Sequence, residues 1–241
     1  MSSVRLLAFS SSRVGKSAYL ESVVPVVTNF LGPHPSKIAF IPFASVDGYD
    51  AYLEKVVKAF EGTPYSFTVT SSANATDVVA AADVIMVGGG NTFKLLHDLY
   101  ALNVLEVIQE KVKGGAPYIG WSAGSNITGL SIATTNDMPV IEPKSFKALG
   151  FFPFQINPHY LNEIVEGHNG ETRDQRLEEF VKLNPAIPVV GLPEGTFLHL
   201  EKNKITYEGI ADGMLLVKRN SEGDPTKSYI APGTDLSYLS R

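Results

Sequence analysis

Short apolar runs alternate with longer stretches whose apolar positions recur every three or four residues, and this rhythm holds through the first half of the chain. Val4 to Phe9 reads as a buried strand, and Lys37 to Phe43, Tyr65 to Thr70, Asp83 to Val87 and Ala116 to Trp121 as further strands. Between them the spacing predicts helices over Ala18 to Asn29, Tyr49 to Phe60, Asp77 to Ala82, Phe93 to Leu99 and Val104 to Lys113. Repeated strand–helix alternation implies an α/β fold, a mostly parallel sheet with helices on both faces. Beyond Gly129 the texture changes. Ser131 to Pro139 is loop-like, Phe151 to Ile156 is an aromatic strand, and Thr172 opens a helix through a capping box with Gln175. Ile187 to Gly191 is another strand; Thr196 to Leu200, Lys204 to Tyr207, Met214 to Lys218 and Ser228 to Ile230 read as short antiparallel strands near the C-terminus. With no linker, repeat or low-complexity stretch, a single domain over residues 1–241 is expected.

The strand ending at Trp121 runs into Gly120-Trp121-Ser122-Ala123-Gly124, a G-x-S-x-G pattern, followed by a helix-compatible segment. A serine on a sharp strand-to-helix turn needs small neighbours, because side chains on Gly120 and Gly124 would collide with the tight backbone. Such a turn lifts the hydroxyl above the sheet edge and aims the Ala123 amide at a developing oxyanion. The plainer alternative is a small-residue joint with a buried serine. A second glycine loop, Gly88-Gly89-Gly90-Asn91-Thr92-Phe93, follows the strand ending at Val87. As a dinucleotide cradle it fails, since Phe93 holds the third glycine position of G-x-G-x-x-G. Two readings stay open, a second oxyanion donor beside Ser122 and a flexible turn. In parallel sheets ligands bind beyond the carboxyl ends of strands, so both loops can share one cleft. Ser10 to Ser17 ends like a phosphate-binding loop, but Ser10 stands where that pattern needs glycine, and a plain loop is the better reading.

Composition narrows the chemistry. Hydrophobic residues make up 44% and charged residues 19% of 241, a globular balance. The formal net charge of -5 and the lack of a long basic run argue against nucleic acid and anionic membranes. With no cysteine, disulfides and thiolate catalysis are excluded. The N-terminal apolar run is too short for a signal-peptide core and no later run approaches a membrane span, so the cytoplasm is the expected location. No clustered His, Asp or Glu set suggests a metal, and no cofactor is expected.

A serine nucleophile needs a base, and five histidines compete. His159 follows Asn157-Pro158, whose restrained backbone would fix its ring. His168 sits in a glycine-flanked turn, and His199 alternates within a strand. His34 and His97 read as surface or packing residues. The base in turn needs an acid to hold its tautomer. Glu194, just past a strand end, and Asp137, in the loop after the serine, are the candidates. An α/β-hydrolase order, such as Ser122, Asp174 and His199, fits less well.

Four segments together resemble the peptidase E family, the cytosolic α-aspartyl dipeptidases: Val87 to Thr92, Gly120 to Asn126, Ile156 to Tyr160 and Gly191 to Gly195. The resemblance runs along nearly the whole chain in order and spacing. It implies a class I glutamine-amidotransferase-like fold with serine in place of the usual cysteine, Ser122 as nucleophile and His159 as base. The third member it implies is Glu194 or Asp137, with Glu194 favoured. It also implies hydrolysis of dipeptides with an N-terminal aspartate (Asp-Xaa), with an arginine for the substrate carboxylate. Arg173 fits, because a cation in the first turn of a helix opposes the helix dipole and calls for an anion. The bland alternative pairs Arg173 with Asp174 or Glu178 on the surface. Gly89, Gly90 and Ala123 are then the oxyanion donors, Asn91 is assigned to substrate binding, and a homodimer is compatible with the reading. Two rival functions remain: a cyanophycinase-type β-aspartyl peptidase and a catalytically silent binding module.

Overall fold

The computed structural model describes residues 4–163, 169–218 and 223–240, so His168 lies outside the described residues. In chain order the first half gives β1 (Leu6–Phe9), α1 (Val23–Leu31), β2 (Ser36–Ile41), α2 (Tyr49–Ala59), β3 (Tyr65–Val69) and α3 (Ala75–Ala81). Next come β4 (Val84–Val87), α4 (Thr92–Ala101), α5 (Leu105–Lys113), β5 (Tyr118–Trp121) and the short α6 (Ala123–Asn126). The second half gives β6 (Gln155–Pro158), α7 (Arg173–Leu183), β7 (Val189–Leu192), β8 (Thr196–Glu201), β9 (Lys204–Gly209), β10 (Gly213–Val217), β11 (Thr226–Ile230) and β12 (Thr234–Asp235).

These strands form two sheets. The larger has the order β12-β9-β8-β1-β5-β4-β2-β3, with β1, β5, β4, β2 and β3 mutually parallel and β8, β9 and β12 added antiparallel. The smaller has the order β11-β10-β7-β6, with β6 and β7 parallel. The α/β reading with a largely parallel sheet therefore holds. The expected antiparallel strands divide between the sheets, β8 and β9 joining the larger and β10 and β11 the smaller. Side-chain alternation explains the layers. Leu6 and Ala8 of β1 face a core shared with α3, α4 and α5, whereas Leu7 and Phe9 face one shared with α1 and α2. The smaller sheet repeats this: Ile156 and Val190 join the first core, while Val189, Met214 and Leu216 pack under Leu177 and Val181 of α7.

Most boundaries lie within two residues of the sequence reading; two differ by more, each for a local reason. The first helix begins at Val23 rather than Ala18, because Leu20 takes φ 59°, buries its side chain and donates its amide to Ser12 O at 2.8 Å. The aromatic strand is shifted to Gln155–Pro158, because Phe151 and Phe152 both give their amides to Thr128 O instead of a ladder. Pro158 is tolerated there because β6 is an edge strand. No helix among the described residues is long and apolar enough to cross a membrane.

Candidate active site

Five strand ends supply the site. β1 is followed by Ser10, β4 by Gly88 to Gly90, β5 by Ser122, β6 by His159 and β7 by the turn carrying Glu194. The crossing from β5 to α6 is as tight as the G-x-S-x-G pattern predicts. A Cβ on Gly120 would lie 2.4 Å from Gly124 O, and one on Gly124 would lie 2.3 Å from Val87 O. Both obstacles are backbone, which cannot swing aside. Gly124→Ala is therefore expected to cost about 3 kcal/mol by overpacking. Its urea midpoint would fall well below that of the parent protein; an unchanged midpoint would contradict the packing argument.

Ser122 itself takes φ 53° and ψ −115°, a conformation costly for a residue with a side chain. Its amide donates to Phe9 O at 3.1 Å, and its carbonyl accepts from Ser125 N and Asn126 N at 2.9 Å each, so the surroundings hold the strained turn. Below it, Ser125 Oγ donates to the chain at Phe9 O (2.6 Å) and Gly120 O (2.9 Å).

His159 Nε2 stands 3.0 Å from Ser122 Oγ, and its Nδ1 stands 3.0 Å from Glu194 Oε1. An ionised carboxylate only accepts, so Nδ1 carries the proton toward Glu194 and Nε2 is free to accept the serine hydroxyl. The chain Glu194–His159–Ser122 thus has the polarity of a nucleophile, base and orienting acid. Its outer end is open: the side chains of His159 and Glu194 are 42% and 50% exposed.

One residue to which the sequence assigns no part in the site sits behind the histidine. Ser10, buried, donates its hydroxyl to Leu192 O at 2.7 Å and accepts the His159 amide at 3.0 Å. It ties the end of β1 to the ends of β6 and β7, and it supports His159 at φ 51°. A serine closing an apolar strand was the available signal; its partners lie 149 and 182 residues away.

The glycine loop packs directly on the serine. A Cβ on Gly89 would meet Ser122 Cβ at 3.0 Å, and one on Gly90, at φ 138°, would meet Ala44 O at 2.3 Å. Tyr52 Oη donates to Gly89 O at 3.1 Å and accepts from Trp121 Nε1 at 3.2 Å, which fixes the loop's peptide planes. Burial raises the Tyr52 hydroxyl pKa above its ordinary value, so it stays protonated as a donor. The amides of Gly89, Gly90 and Ala123 donate to no acceptor among the described residues, in keeping with donors held for a ligand.

The remaining candidates divide. Asp137 makes no hydrogen bond to His159 in this structure: its Oδ2 accepts Thr92 N at 2.7 Å and the Thr92 hydroxyl, at the N-terminus of α4 where unpaired amides attract a carboxylate. Asn91 caps the same helix, its Oδ1 accepting Lys94 N at 3.0 Å and its Nδ2 donating to Met138 O at 2.8 Å, so its amide is committed to the fold. His199 lies on β8 with its ring 5.5 Å from Phe30, and His97 contacts Asp98 at 2.9 Å; neither ring reaches Ser122. Arg173 opens α7 behind the expected Thr172–Gln175 capping box. Its Nη1 donates to Asn157 Oδ1 at 3.3 Å, and among the described residues no carboxylate pairs with it. Asp174 is instead taken by Lys227 and by Tyr160 Oη, at 2.6 Å from the latter. Burial, then the neighbouring Arg176, lowers the Arg173 pKa from its usual value, the signature of a partly desolvated cation without a counterion.

Two cavities meet at the Ser122–His159 pair. One, of about 590 Å3, is walled by Tyr19, Tyr52, Trp121, Arg13 and Lys55. The other, of about 210 Å3, contains Arg173, Asp137, Asn126 and Thr135. Among the described residues no group of three or more His, Asp or Glu side chains is placed to hold a metal ion.

The model of peptidase family S51 matches residues 6–207. A protein named peptidase E from Shewanella amazonensis is 48% identical over 238 residues, covering 98% of this chain and 99% of that protein. Another of that name from a Nostoc species is 49% identical over 211 residues, 87% of each. A crystal structure of a putative peptidase E protein from Listeria monocytogenes superposes with a TM-score of 0.69 at 24% identity, over 87% of this chain and 100% of that one. At that identity the superposition speaks for the fold alone.

Proposed function

The chain belongs to peptidase family S51, and from that premise we propose that it is a serine exopeptidase that removes an N-terminal aspartate from Asp-Xaa dipeptides. One observation carries the reading: Glu194, His159 and Ser122 stand in line at 3.0 Å and 3.0 Å, beside amides with no other acceptor. Ser122 Oγ attacks the carbonyl carbon after the aspartate while its proton passes to His159 Nε2. The oxyanion forms against the amides of Ala123 and of Gly89 or Gly90. His159 then gives the proton to the leaving amine as the C–N bond breaks. Water, deprotonated by His159, attacks the aspartyl ester, releases aspartate and restores Ser122. In this scheme the smaller cavity receives the aspartyl residue and the larger one receives the leaving amino acid.

Arg173 supplies the selectivity. A half-buried guanidinium without a counterion gains a charge-assisted contact when a carboxylate side chain enters. Arg173→Ala is expected to raise KM for Asp-Leu about 10- to 100-fold, the worth of a hydrogen bond to a charged group, with a smaller effect on kcat. A KM within twofold of the parent value would leave Arg173 as surface decoration. The substrate assignment is tested by a hydrolysis panel of Asp-Leu, β-Asp-Arg and Ala-Leu. Asp-Leu is expected to be cleaved preferentially with release of aspartate. Preference for β-Asp-Arg would move the function to a cyanophycinase-type reaction, and cleavage of none would overturn it.

A further inference from the structure

The smaller cavity beside Ser122 carries two formal charges of opposite sign on its wall besides the histidine, Asp137 and Arg173. They do not neutralise each other, since no ion pair joins them among the described residues. Asp137 uses only Oδ2 to cap α4; its Oδ1 accepts from no donor among the described residues. A second unmet acceptor lies in the same wall. Asn126 is 1% exposed, and its Nδ2 donates to Ile156 O at 2.8 Å, which fixes which end of the amide is oxygen. That leaves Oδ1 buried with no hydrogen-bond donor. An orphaned buried acceptor is unfavourable and calls for an explanation in the site's use.

Resting on the aspartyl-peptidase reading, we propose that Asp137 and Asn126 are the seat of the substrate's α-ammonium group. An N-terminal aspartyl residue carries one cation and one anion on either side of its α-carbon. The cavity offers a carboxylate and an amide oxygen for the first and the Arg173 guanidinium for the second, with Ser122 at its mouth. A charge-assisted bond to an ammonium group is stronger than a neutral hydrogen bond. The same corner rejects a blocked N-terminus, because an acylated amine brings bulk and no positive charge to Asp137. Asp137 thus does two things with its two oxygens: one caps α4 and so holds the loop against the glycine turn, and the other reads the substrate.

Succinyl-leucine is Asp-Leu without its amino group, so the pair isolates the ammonium contribution. The parent protein is expected to favour Asp-Leu in kcat/KM by about 10- to 100-fold. Asp137→Asn keeps an oxygen for the Thr92 amide and replaces the charged acceptor facing the substrate with a neutral NH2 donor. It is expected to shrink that preference at least about tenfold, by raising KM for Asp-Leu more than KM for succinyl-leucine. Asn126→Ala is expected to act in the same direction, with its unfolding midpoint measured alongside. A competition that needs no variant repeats the test: L-aspartate should protect Ser122 from a fluorophosphonate probe at a lower concentration than succinate does. Equal cleavage of both substrates, equal protection by both acids, or a parallel loss on both substrates in Asp137→Asn would overturn the proposal while leaving the peptidase reading in place. Cleavage of neither by the parent protein would instead remove the peptidase reading on which the proposal stands.

Discussion

Replacing Ser122 by alanine is expected to lower kcat on Asp-Leu by on the order of 10⁵- to 10⁶-fold, the scale at which a triad nucleophile fails. The hydroxyl is the only group of the proposed chain that forms a bond to the substrate, so nothing else on the sheet edge can substitute for it. KM should change little, because Arg173 and the unused amides remain. Stability should also hold. Ser122 takes φ 53° and makes its fold contacts through its backbone, donating to Phe9 O and accepting from Ser125 N and Asn126 N. Alanine keeps those bonds and the same strain. Glycine at this position adopts positive φ freely, so Ser122→Gly should be equally inactive but show a higher thermal midpoint, by relief of about 1 kcal/mol of strain. Activity of Ser122→Ala within a hundredfold of the parent would place the nucleophile elsewhere.

Exchanging Glu194 for glutamine is expected to cost on the order of 10³-fold in kcat, approaching the loss seen when a triad acid is made neutral. Glutamine can offer its amide N–H to Nδ1, which favours the tautomer with the proton on Nε2, the wrong nitrogen for accepting from Ser122. The carboxylate also stabilises the imidazolium formed on proton transfer. Because the Glu194 side chain is half exposed, solvent screens part of that stabilisation, and the loss should fall short of that for a buried acid. The comparison with Asp137→Asn decides between the two acids. Glu194→Gln should lower kcat on every substrate, whereas Asp137→Asn should act on KM for substrates with a free amine. The reverse pattern would make Asp137 the orienting acid.

What could be read from the chain without coordinates is what depends on neighbours in sequence. The G-x-S-x-G turn is such a feature, since Gly120 and Gly124 are forbidden a side chain by backbone within a few residues or on the adjacent strand. The Thr172–Gln175 capping box and the end of β4 at a glycine loop are others. The second sheet was not legible, because β6, β7, β10 and β11 pair through registers that no local pattern encodes. The same limit explains Glu194 against Asp137. Both are lone acids in loops beside the site, and only the placement of Thr92 beside Asp137 and of His159 beside Glu194 separates them. Ser10 and Asn126 escaped for a related reason. Their partners, Leu192, His159 and Ile156, lie 182, 149 and 30 residues away, so neither side chain had a visible task in the sequence.

The central claim is that His159 makes the Ser122 hydroxyl nucleophilic. Treatment of the intact protein with a fluorophosphonate probe, followed by peptide mapping, tests it most directly. One label per chain is expected, on Ser122, lost when His159 is replaced by alanine and retained when His199 is. Hydrolysis of Asp-Leu by protein that takes no label on Ser122 would contradict it.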